Sequence, residues 1–203
     1  MPKTRPPIDQ ITSATELRRW YWLKSELVAA ARAKGVRTQG GKFTILDRLA
    51  HHLETGELIW PGDTKPKTSS SFDWATETLT PQTILTDSYK NNQNVRAFFQ
   101  AHADPKFKFS TPFMAWIKAN TGRTLADAIA EYHRLMEARA APGYRSEILH
   151  HNQYNQYTRD FLAATPEAAL DTVRHFWRLK RMRPSEDGRH VYAPSDLDLS
   201  EGD

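Results

Sequence analysis

SATELRRWYWLKSELVAAARAKGVRTQGGKFTILDRLAHHLETG, residues 13–56, is the stretch that fixes the fold class. Ser13-Ala14-Thr15-Glu16 has the spacing of a capping box, in which a serine oxygen accepts from a first-turn amide and the glutamate reaches back to the cap residue. From there Leu17, Trp20, Leu23, Leu27, Val28 and Ala31 fall on one face of a 3.6-residue wheel, with Arg18, Arg19, Ser25 and Arg32 elsewhere. The pattern predicts one helix running to about Lys34 and stopped by Gly35, a residue free to take a positive φ. Ile45, Leu46, Leu49 and Leu53 then predict a second helix from about Thr44 to Glu54, ending near Gly56.

Between the two helices lies GVRTQGGK, residues 35–42. Its glycines and terminal lysine suggest a nucleotide phosphate loop, but Val36 stands where that motif needs its first glycine and Phe43 where it needs a hydroxyl. A different anion site is implied instead. Gly40 and Gly41 leave backbone amides uncovered at the start of the second helix, where the helix dipole is positive. Arg37 and Lys42 flank those amides, and Thr38 and Gln39 add short polar groups, so a DNA phosphate is the expected occupant.

Gly35, Val36, Gly40, Lys42, Ile45, Arg48 and Leu49 are in register with the SAP motif, and residues 15 to 50 resemble that helix-loop-helix family. The resemblance implies duplex DNA binding with little sequence preference, through Arg37, Thr38, Gln39, Gly40, Gly41, Lys42 and Arg48. Gly41 departs from the pattern, since many members carry a polar or basic residue there. The wider sequence, with FDW, TDSYKNNQNVRAFF and WIKANTGRTLADAIAEY after a linker, is similar to bacterial SAP-domain proteins whose C-terminal part is a domain of unknown function.

Composition narrows the alternatives. The 203 residues carry a net charge of +4 and 39% hydrophobic residues, with no run approaching the roughly 18 apolar residues of a membrane span. MPKTRPPIDQ lacks the apolar core of a signal peptide, so the expected location is the bacterial cytoplasm, on the nucleoid if the protein binds DNA. The absence of cysteine excludes disulfides and thiolate chemistry. His51-His52 and His150-His151 are adjacent pairs, which point about 100° apart on a helix and chelate poorly. No catalytic constellation, cofactor motif or metal motif is found, and a non-enzymatic protein is expected.

Residues 57–71, ELIWPGDTKPKTSSS, read as a linker, with Pro61, Gly62, Pro66 and a serine triplet. After it a C-terminal helical domain is expected over 72–184, with a short helix near Pro81 to Leu85 and, after a break at Asn91 and Asn92, a helix capped by Asn94 that bears Val95, Phe98 and Phe99. Phe113, Ile117, Thr121, Asp127, Ile129, Tyr132, Arg134 and Leu135 match Tyr157, Phe161, Thr165, Asp171, Val173, Phe176, Arg178 and Leu179 at an offset of 44, a degenerate helix-pair repeat. The fold expected is therefore all-α, a SAP-like module followed by a small bundle. In its last helix, RHFWRLKRMR, Arg174, Arg178 and Arg181 form one stripe beside Trp177, a second track for phosphates. Residues 185–203, rich in Asp and Glu, read as a mobile acidic tail able to compete for that stripe. The bundle would assist DNA binding or recruit a protein; an interaction adaptor, or an accessory factor to a nucleic-acid enzyme, is the alternative function.

Overall fold

The computed structural model describes residues 5–64 and 67–200. It is all-α, with eight α-helices among the described residues, and its contacts divide the chain into two compact units. One unit joins residues 1–65 to residues 148–203; the other is the continuous segment 66–147.

In the discontinuous unit, Ser13 caps α1 (Ala14–Arg19) by accepting from the Glu16 amide at 3.2 Å. The reciprocal half of the capping box is missing, because the Glu16 carboxylate takes the Trp20 indole N–H at 2.7 Å and Arg19 at 3.3 Å. Contrary to the single helix read from the sequence, the helix ends there and restarts as α2 (Lys24–Ala33). The reason is the run Trp20-Tyr21-Trp22. In an extended segment alternate side chains share a face, whereas on a helix positions i and i+2 diverge by about 200°. The extended form buries Trp20 and Trp22 together in one core with Leu17, Leu27, Ile45 and Leu49, and sends Tyr21 to the opposite side. The Trp22 indole donates to the Leu17 carbonyl at 2.8 Å, satisfying a group that the interrupted helix leaves free. Glu26 restarts the helix by accepting from the Leu23 amide at 2.6 Å, and is itself held by Arg5 at 2.6 Å.

Gly35 closes α2 with φ 73°, and α3 (Lys42–Thr55) runs from Gly41 to Gly56, which takes φ 76°. α3 packs on both α1 and α2. The expected linker is not one free segment. Its first part folds as a 3-10 turn over Pro61–Asp63 in this unit, with the Trp60 ring over Gly62, while Ser69 and Ser70 bond Asp87 in the other unit. Pro66 lies outside the described residues.

The continuous unit contains α4 (Gln93–His102), α5 (Thr111–Ala119) and α6 (Leu125–Ala140) around Phe98, Phe99, Phe107, Phe113 and Tyr132. The cap of α4 is Asn92, which accepts from the Val95 amide at 3.0 Å, and not the expected Asn94, whose side-chain amide is drawn to the Trp74 and Glu77 carbonyls. No helix forms at 81–85. A turn over 81–82, in which the Thr83 amide donates to the Thr80 carbonyl at 3.0 Å, leads into an isolated antiparallel bridge between Ile84 and Thr124, and the Leu85 amide is taken by the Arg123 carbonyl at 2.7 Å instead of one a helical turn back.

The expected C-terminal domain over 72–184 is likewise divided, since α7 (Gln153–Ala164) and α8 (Leu170–Lys180) belong to the unit of the N-terminal helices. α5 and α6 pack as one pair and α7 and α8 as another. The two pairs match at 44 residues only in their first helices. In the second, the buried residues Ala128 and Tyr132 correspond to Val173 and Trp177, one position later. Residues 185–200 are folded too. The Ser185 amide donates to Arg19 at 2.8 Å, the His190 amide to Gln153 at 3.0 Å, and a 3-10 turn over Pro194–Asp198 places Asp196, 3% exposed, on Lys180 at 2.7 Å. A mobile acidic tail is thus replaced by a packed segment whose key carboxylate meets Lys180 rather than the arginine stripe. Glu201 and Asp203 lie outside the described residues.

Candidate nucleic-acid interface

The loop between α2 and α3 is held from inside by Arg48. Only 4% exposed, its guanidinium binds both oxygens of Asp63, with contacts at 2.6 and 2.8 Å, and donates to the carbonyls of Arg37 and Gln39. Those hydrogen bonds from Arg48 hold the Asp63 carboxyl below the usual carboxylate range. Arg48 thus departs from its expected place among the phosphate contacts: with its donors committed inward, it holds the loop in shape.

Outside that scaffold, Arg37, Gln39, Gly40 and Gly41 are exposed and Thr38 is half-buried. Arg37 reaches Asp63 only at 3.9 Å and donates to the Gln39 side chain at 3.3 Å. Gly40 has φ 114°, a conformation that an L side chain rarely adopts. Gly41 precedes the first turn of α3 with no side-chain cap, and that turn carries no carboxylate. Its first amides have no side-chain acceptor, and the positive end of the helix dipole lies at that terminus.

Lys42 differs from its expected role as an open flanking cation. Its Nζ lies 3.4 Å from the centre of the Tyr21 ring, and no carboxylate or carbonyl among the described residues pairs with it. Burial pushes its pKa down to about 8, Glu26 raises it and Arg181 lowers it further. Glu26 is itself pulled in two directions: burial pushes its carboxyl up, and the bonds from Arg5 and the Leu23 amide outweigh this and hold it low.

Tyr21 is the residue that joins the two regions singled out in the sequence. One side meets Lys42, and another meets Trp177 edge-on at 5.1 Å and His190 at 5.8 Å. α8 is thereby brought to the loop, so that the Arg181 charge acts on Tyr21, Glu26 and Lys42. Of the predicted stripe, Arg178 is exposed and Arg181 half-buried, while Arg174 pairs with Asp171 at 2.6 Å. Trp177 is buried among Tyr154, Tyr157 and Tyr21 and offers no face to a ligand. The alternation of WYW was the available signal for Tyr21, and a helical wheel conceals it.

Trp20, Tyr21, Trp22, Leu27, Lys42, Phe43 and Leu46 line an open cavity of about 120 Å³ whose rim includes Arg18, His150 and Asp187. Among the described residues no group of three or more His, Cys, Asp or Glu is placed to hold a metal ion, and no helix is long and apolar enough to cross a membrane.

Lys42→Met tests the electrostatics directly. Below pH 8 the wild type holds a desolvated ammonium; between 8 and the ordinary lysine value of 10.5 the folded form has released the proton that the unfolded chain still binds, so wild-type stability rises with pH. The variant is expected to be more stable at pH 7 by about 1 kcal/mol, after allowance for solvent screening and for the Tyr21 face that favours the cation. Thermal melts from pH 7 to 10 should show the gap closing. A gap constant across that range contradicts the assignment.

These features describe a class, two all-α units of which one carries an uncapped helix terminus and cations drawn from both ends of the chain. A family model described as a domain of unknown function, DUF6434, matches residues 72–135, inside the continuous unit. No curated protein and no solved structure matches the chain.

Proposed function

We propose that the discontinuous unit binds duplex DNA with little sequence preference, as a SAP-like module acting in the cytoplasm on the nucleoid. The observation that carries this reading is the bare first turn of α3 behind exposed Gly40 and Gly41, held in shape by buried Arg48. Phosphates would meet the α3 amides and Arg37, and the duplex would continue across Arg181, whose charge acts on Lys42, and exposed Arg178 on the same helix. The contacts are to the backbone, and such contacts position a duplex without reading its sequence.

Replacing Arg37, Arg178 and Arg181 together by alanine is expected to weaken binding of a blunt duplex at least tenfold at low salt. The slope of log affinity against log salt should flatten by about 2.7, since each lost phosphate contact removes about 0.9. An unchanged slope in a folded triple variant would falsify the assignment, and no binding by the wild type at any salt would favour the adaptor reading.

A further inference from the structure

Resting on that reading, we propose that the cavity between α1, α3 and the Tyr21 segment receives the base of an unpaired pyrimidine nucleotide, as at a frayed or single-stranded stretch of bound DNA. Three observations lead there. The first is shape: an apolar cavity of about 150 Å³ accepts a benzene ring, and an open one of about 120 Å³ suits a six-membered heterocycle better than the two rings of a purine. The second is the lining. Phe43 is half-buried in the lining, with exposed His150 tilted 5.4 Å from its ring, and such aromatic surfaces are what bases stack on.

The third is chemical. Lys42 places an ammonium in this cavity with no acceptor among the described residues, and its desolvation shows in a pKa of about 8. The ammonium is half-buried and rests on the Tyr21 ring with no hydrogen-bond acceptor among the described residues, and a keto oxygen of thymine supplies one. Gln153, Asp187 and Arg18 in the lining are already engaged: Gln153 bonds Gly188 and His190, Asp187 bonds Ser185 and the Arg189 amide, and Arg18 pairs with Asp47. Lys42 is also the first residue of α3, so a base in the cavity leaves its phosphate beside the bare first turn.

The test uses the full chain and three labelled probes at one salt concentration: short oligothymidylate, an abasic strand with the same number of phosphates, and a blunt duplex. Oligothymidylate is expected to bind about tenfold tighter than the abasic strand, as one good stacking contact implies. Lys42→Met, which should remain folded, is expected to lose most of that preference. Equal affinity for thymidylate and abasic strands overturns the inference, whereas salt-dependent duplex binding in the same experiment would leave the proposed function standing. No binding of any probe overturns both. Displacement by thymidine monophosphate but not by deoxyribose phosphate supports the cavity assignment and identifies a free nucleotide as its source.

Discussion

Arg48→Met is expected to lower the stability of the discontinuous unit by about 3 kcal/mol, the range found when one member of a buried ion pair is removed. The methionine fills much of the volume, so the loss is electrostatic: Asp63 keeps its carboxylate without its partner, and the carbonyls of Arg37 and Gln39 lose their donor. The effect should reach the ligand as well. With its inner tether gone, the loop no longer presents Gly40 and Gly41 in a fixed shape, and duplex affinity should fall. The slope against salt should nevertheless stay close to wild type, because a positioning residue takes no phosphate contact with it. Denaturant titration and binding at two salt concentrations check both halves. A loss below about 1 kcal/mol, or a slope reduced by a full contact, would return Arg48 to the direct role that its place in the motif suggests.

Truncation after Pro184 is expected to cost more than any single core substitution, above about 4 kcal/mol. It removes Tyr192, whose ring packs on Phe161 at 5.0 Å and Tyr157 at 5.7 Å, the buried His190 with its bonds to Gln153 and Arg183, and the carboxylate that neutralises Lys180. Gly188 adds a steric argument. Its φ is +74° and a Cβ there would sit 2.6 Å from the Arg18 carbonyl, so this backbone is pressed against α1. A mobile competitor would behave oppositely, its loss leaving stability alone and tightening DNA binding at low salt. A truncated protein melting within a degree or two of full length would restore that picture.

The helix termini were legible because their signals are local. Ser13, Gly35 and Gly56 act within a few residues of themselves, and the structure uses each as a cap or stop, whereas the cap of α4 falls to Asn92 because Asn94 is drawn to carbonyls distant in sequence. What escaped depends on partners distant in sequence. The wheel from Leu17 to Ala31 looks continuous because Trp20 and Leu23 fit its face, but Trp22 lies off that face and is buried at 1% exposure, which only the extended break allows. Arg48 scans as a surface cation until Asp63 and two loop carbonyls surround it. The acidic run after 185 scans as solvated until Lys180 meets Asp196. In the candidate site the glycines and Arg37 are where the spacing put them, whereas Lys42 is turned inward by Tyr21, an interaction that no motif encodes.

Because residues 66–147 interrupt a unit built from 1–65 and 148–203, synthesis and assembly run in different orders. On the ribosome the interior segment emerges whole and can close its aromatic core while the flanking helices still wait for their other half. Tyr21 leaves the exit tunnel more than 150 residues before Trp177 and His190 arrive to cover it. For that interval the nascent chain displays the very aromatic patch that later shapes the loop, and the surface proposed to meet nucleic acid is finished only after residues 177–190 have emerged.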